Sequence, residues 1–98
     1  KPDEPYMTLI VKAIMSTADH RMVLADIYLW LMDYSPYYRL TKSSWKNSVR
    51  HNLSVNECFV KSERARNGRG FFWTVHPACV QLFQDGDYSR RSARAAIQ

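Results

Sequence analysis

Asn47, Arg50, His51 and Ser54 fall at i, i+3, i+4 and i+7 within the stretch SWKNSVRHNLS, residues 44–54. On an α-helix these four positions share one face. They supply an amide, a guanidinium, an imidazole and a hydroxyl, and the stretch contains no carboxylate. Trp45, Val49 and Leu53 recur every four residues, which predicts a buried apolar face on the same helix.

This chemistry suits the major groove of duplex DNA, which admits a helix and presents base edges. Asn47 is the first candidate to read a base, because an Asn side chain can hold adenine N6 and N7 together. It also stands three residues beyond Ser44, so helix capping is its competing role. His51, one turn on, can bond a base edge or pack on a thymine methyl; otherwise it is an exposed histidine on a polar face. Arg50 can reach phosphate, a base edge or both. Lys46 and Ser54 are expected on phosphates, which position a helix without reading sequence. Ser48 is open between a phosphate contact and a structural role. Asn52 lies toward the core side and is expected to bond backbone groups.

Charge placement points to the same partner. The chain of 98 residues carries a net +5. Residues 1–33 hold three basic groups against five acidic ones, while residues 34–98 hold eleven against four. No acid occurs from Tyr34 to Asn56, from Arg64 to Gln84, or from Tyr88 onward. Acid-free basic segments suggest a polyanion, although one basic run alone is more often a solvated surface. Trp45 and Trp73 could in principle stack single-stranded bases. The apolar neighbours of Trp45 assign it to the core instead.

Other classes fit poorly. No Ser–His–acid set or carboxylate pair stands in a recognisable setting, and the phosphate-cradling G-x-G-x-x-G is absent, so no enzyme and no small-molecule substrate is expected. Cys58 and Cys79 form no C-x-x-C, and His20, His51 and His76 lie in distant segments. A tetrahedral metal site needs about four ligands, so neither metal nor cofactor is expected. No apolar run approaches the roughly 18 residues that suggest a membrane-spanning helix, and no signal segment opens the chain. Two reduced cysteines suit an intracellular protein.

The elements that must hold the stripe follow from periodicity. A hydrophobic content of 46% is that of one globular domain over residues 1–98, with a core at about 5–84 and a basic tail at about 85–98. Tyr6, Leu9, Ile10, Ala13 and Ile14 predict a first helix over about Pro5–Thr17, with Pro5 in its first turn. Residues 22–24 are a short β-prone piece. A second helix with Ile27, Tyr28 and Leu31 inward is expected to start from Ala25 as a weak N-cap and to stop before Pro36. The sequence YYRLTK is then a connection, and Ser43 or Ser44 caps the third helix, 44–55. Residues 58–61 and 71–75 read as strands around SERARNGRG, whose Asn67-Gly68 marks a hairpin turn with a basic tip. After a short apolar piece, ACVQLF, the tail SRRSARAAIQ has little to bury and is expected to be disordered without DNA. Helices joined by a short connection, with a hairpin appended, make an α+β winged helix: a helix-turn-helix variant of three helices and a small antiparallel sheet.

WKNSVRHNLS and NECFVK, preceded by PYYR and followed by FFWTVHP, resemble the forkhead transcription-factor domain. The likeness runs from Lys1-Pro2 to Arg90-Arg91. It implies a nuclear, sequence-specific binder of double-stranded DNA that acts as a monomer on A/T-rich sites with a core like TAAACA. It implies DNA contacts from Tyr6, Arg69, Gly70 and Trp73, with the Trp73 ring in the core and its indole N–H near a phosphate. Arg66, Arg90, Arg91 and Arg94 are expected on phosphates or in a narrow minor groove. The chain departs from the family's usual pattern in three places. Glu4 and Pro5 replace a Tyr-Ser pair that helps hold a phosphate, Phe71 replaces a phosphate-binding Ser, and the tail is less densely basic. Two other readings remain beside DNA readout: a winged helix docking an acidic protein, and non-specific architectural binding of the linker-histone sort. Non-specific binders need only Lys and Arg, whereas Asn47 and His51 can read bases.

Overall fold

The computed structural model describes residues 3–98; Lys1 and Pro2 lie outside the described residues. The first helix, α1, spans Tyr6–Met15. Leu9, Ile10, Ala13 and Ile14 are fully buried, and Met7, Thr8 and Val11 nearly so, leaving Lys12 as its exposed residue. α1 is therefore the centre of the domain, closed in on more sides than one apolar stripe requires. Pro5 sits at the N-cap rather than in the first turn.

The short piece forms a strand, β1 (Arg21–Val23), and α2 (Leu24–Tyr34) starts directly from it. Val23, not Ala25, is the N-cap. Strand pairing fixes the backbone up to Val23, so the helix begins at the first residue free of the sheet. Ile27 and Leu31 are fully buried, and Tyr28 packs against the core. Ser35, at φ −145° and ψ 131°, ends α2 as the following proline requires.

Pro36 then opens a helix of its own. The expected connection contains α3 (Pro36–Leu40), with Pro36 in the first turn and the Ser35 side chain accepting from the Tyr37 amide. The same proline thus ends one helix and starts the next. α3 buries Tyr38, whose ring tilts onto Trp45 at 5.0 Å between centroids.

α4 spans Ser44–Val55 and buries Trp45, Val49 and Leu53. Neither serine caps it through its side chain. Ser43 occupies the N-cap, and only its carbonyl is engaged, by the Lys46 amide at 3.0 Å. Asn52 donates to the Ser48 carbonyl. At the far end Asn56 is buried; its Oδ1 accepts from the Cys58 amide and its Nδ2 reaches the Met7 sulfur. This amide ties the end of α4 both to α1 and to the next strand.

β2 (Phe59–Arg64) and β3 (Phe71–Val75) form the hairpin, and β1 pairs on the other edge of β3 to give an antiparallel order β1-β3-β2. β2 runs three residues further than its apolar pattern, because its register shifts between Lys61 and Arg64 to keep pairing with Phe71. At the tip Asn67 and Gly68 both have positive φ, 61° and 69°, and the Arg69 amide reaches the Arg66 carbonyl. Positive φ at both central positions is what a type I′ hairpin turn demands.

The apolar piece after the sheet is α5 (Pro77–Gln84), capped by His76, whose Nδ1 accepts from the Ala78 amide. It buries Cys79 and Phe83. Cys58 and Cys79 are both free and buried, and burial next to Cys79 pushes the Cys58 thiol up. The tail departs most from expectation. Residues Arg90–Ile97 form a helix, α6, with Ser89 as N-cap accepting from the Ser92 amide. Ala93 is fully buried and Ile97 packs against the core, so the tail has an apolar seam after all. No helix among the described residues is long and apolar enough to cross a membrane.

Candidate nucleic-acid interface

α4 presents Asn47, Arg50, His51 and Ser54 on one exposed face, while its opposite face anchors the helix to α1 and α3. Arg50 Nη2 donates to Asn47 Oδ1 at 2.8 Å. That bond joins two members of the stripe, and among the described residues Asn47 makes no side-chain hydrogen bond to Ser44. The Ser54 hydroxyl donates back to the Arg50 carbonyl at 3.1 Å. Lys46 lies at the flank with its ammonium 5.4 Å from the Tyr28 ring centre, while the Tyr28 hydroxyl donates to the Lys46 carbonyl.

At the N-terminal end of α4 the fold closes a cleft of about 240 Å³ between Tyr6, Tyr37, Thr41, Lys42, Ser44, Trp45 and Ser48. Tyr6, for which the resemblance implies a DNA contact, and Ser48, left open between a phosphate contact and a structural role, are brought together across α1 and α4. The cleft adds Tyr37, Thr41, Lys42 and Ser44, which sequence reasoning missed. Their signal was weak, because hydroxyls in a connection usually mean a turn. Hydroxyls, an ammonium and the first turn of a helix suit an oxyanion. Glu4 does not line this cleft. Its carboxylate pairs with Lys12 and accepts from Tyr34, and the Lys12 contact, then Tyr34, holds it below the usual carboxylate range.

The hairpin carries the second basic group. Arg64 and Arg66 are exposed and make no ion pair among the described residues, whereas Arg69 is paired with Asp26 at 2.6 Å. Gly70 has φ 87° and its carbonyl accepts from the Ala65 amide, closing the loop. Trp73 is half-buried against the core, with the Lys61 ammonium 5.6 Å from its ring. Phe71, standing where a hydroxyl was expected, lies under Lys61 and Arg64 at 5.1 and 4.8 Å. Cations here are laid over aromatic rings, which keeps the charge and loses the hydroxyl.

The structure separates the three tail arginines. Arg90 and Arg94 both bind Glu57, at 3.0 and 3.4 Å, and only Arg91 is without an ion pair among the described residues. These ties engage two of the arginines expected on DNA, both still exposed.

An exposed hydrogen-bonding stripe on a helix held by a small bundle, flanked by a basic hairpin, is the layout of a winged helix. The model of the forkhead domain matches residues 1–84. The chain belongs to the forkhead family. A forkhead domain is a DNA-binding module of the winged-helix class, and double-stranded DNA is its partner. The match takes in α1 through α5 and ends before α6.

Proposed function

We propose that this forkhead domain is the sequence-specific reader of a nuclear transcription factor, acting as a monomer on an A/T-rich, TAAACA-like site. α4 enters the major groove, with Asn47, Arg50 and His51 on base edges and Lys46, Ser48 and Ser54 on phosphates. Tyr6, in the cleft at the start of α4, takes a backbone phosphate. Arg66, Arg69, Gly70 and Trp73 of the hairpin, with Arg91 of the tail, meet phosphates or the minor groove.

The observation that carries this reading is the exposed face of α4. It bears an amide and an imidazole beside a guanidinium, with no carboxylate on the helix. Lysine and arginine alone would suffice for phosphate binding; amide and imidazole groups add the capacity to read bases. A competition assay tests it. A labelled TAAACA-type duplex is challenged with unlabelled scrambled duplex of equal length and composition. Sequence-specific binding resists the scrambled competitor by 10³-fold or more, the order typical of specific sites. Equal competition would mean an architectural binder, and no binding would favour an acidic protein partner.

A further inference from the structure

Arg90, Ala93, Arg94 and Ile97 fall at i, i+3, i+4 and i+7, one face of α6. Ala93 and Ile97 dock that face on the core, and the two guanidiniums beside them converge on a single carboxylate oxygen, Glu57 Oε1. Arg90 Nη2 also donates to the Val55 carbonyl at 3.2 Å, in the last turn of α4 where carbonyls lack intrahelical partners. Glu57 lies three residues beyond Ser54, the end of the interface stripe. Two arginines of α6, a helix with no acid of its own, are thus folded back against the end of α4. An exposed ion pair holds little by itself. Here the buried Ala93 and the partly buried Ile97 keep both guanidiniums close to Glu57 and reduce the entropy lost in pairing.

We propose that Glu57 is an autoinhibitory latch, holding Arg90 and Arg94 against α4 and away from DNA phosphates, and so limiting the phosphate-driven affinity of the domain. The latch rests on the DNA-binding reading above, and α6 lies beyond the stretch matched to the family. Once Glu57 is neutral, each guanidinium is free to swing to a phosphate. Each phosphate neutralised adds about 0.9 to the slope of log K against log salt, and roughly three- to tenfold in affinity near 0.1 M salt.

The test is a cycle of four proteins on specific and scrambled duplex across a salt series: wild type, Glu57→Gln, Arg90→Ala/Arg94→Ala, and the triple variant. Glu57 is a surface residue, so its isosteric amide leaves the fold in place, checked by helix content. Glu57→Gln is expected to tighten binding to both duplexes and to steepen the slope by roughly 0.9–1.8, one or two phosphates. Removing both arginines alone should leave affinity near wild type, and the glutamine should then bring little gain. An unchanged slope in Glu57→Gln overturns the latch. So does an equal gain without the arginines, which would be a simple loss of negative charge. So does a slope flattened by the arginine removal alone, which would place both on DNA already. If wild type discriminates between duplexes while any of these results holds, only the latch fails. If wild type binds neither duplex, the DNA reading fails and takes the latch with it.

Discussion

The bond between Arg50 and Asn47 makes a quantitative prediction about base reading. A bidentate grip on adenine needs Asn47 Oδ1 to accept and Nδ2 to donate. Arg50 occupies one lone pair of Oδ1 at 2.8 Å. The second lone pair and both amide hydrogens are uncommitted among the described residues. Arg50 therefore orients the amide without blocking it. Asn47→Ala should cost roughly 1–3 kcal/mol on the TAAACA-type duplex, a factor of about 5 to 150, with little loss on scrambled duplex. Arg50→Ala should weaken both duplexes through lost charge, and weaken the specific one further through the freed amide. Because the pair is solvent-exposed, the orienting part should be modest, about 0.5–1 kcal/mol. A double-mutant cycle measured by fluorescence anisotropy isolates it as a coupling energy seen on specific DNA alone. Equal loss from Asn47→Ala on both duplexes would refute base reading. Zero coupling would refute the orienting role while leaving base reading intact.

Three further outcomes are expected. Arg66→Ala should flatten the slope of log K against log salt by roughly 0.9, and Arg69→Ala by less, since Arg69 must first leave Asp26; identical slopes for both variants and wild type would remove the hairpin from the interface. Burial pushes the Tyr38 hydroxyl up to about 12, so the neutral phenol contributes stability that is complete below the unfolded value near 10 and is lost as pH climbs toward 12. That loss is roughly 2–3 kcal/mol over the interval, and in urea melts at rising pH Tyr38→Phe should show a shallower alkaline decline than wild type; parallel declines would contradict it. The protein should scatter light as a monomer at tens of micromolar, because Pro36 holds Ser35 extended and prevents α2 and α3 from fusing into one helix that could carry α4 to another chain. Pro36→Ala should make any exchange more frequent, and a stable wild-type dimer would count against this reasoning.

Residues 44–55 alone specified α4 and its two faces. A four-residue apolar line and an acid-free polar stripe are properties of one segment, and helical period alone puts them on different faces. Strand positions and the Asn67-Gly68 turn were legible for the same reason, since alternation and positive φ are local. The family was legible because a long, unusual decapeptide carried it. Whatever depended on residues distant in sequence was decided by tertiary structure. The tail appeared too polar to order, because the value of Ala93 and Ile97 exists only when α5 and the core are there to receive them. Helix boundaries moved to where the sheet releases the chain, as at Val23 and Leu24, or to where one proline both ends and begins a helix. The cleft at the start of α4 assembles hydroxyls from α1, α3 and α4, each unremarkable alone. The fate of each arginine followed its neighbours. Arg66 is exposed at the hairpin tip, whereas Arg69, Arg90 and Arg94 meet carboxylates 43, 33 and 37 residues away in the chain, and no local pattern encodes such a meeting.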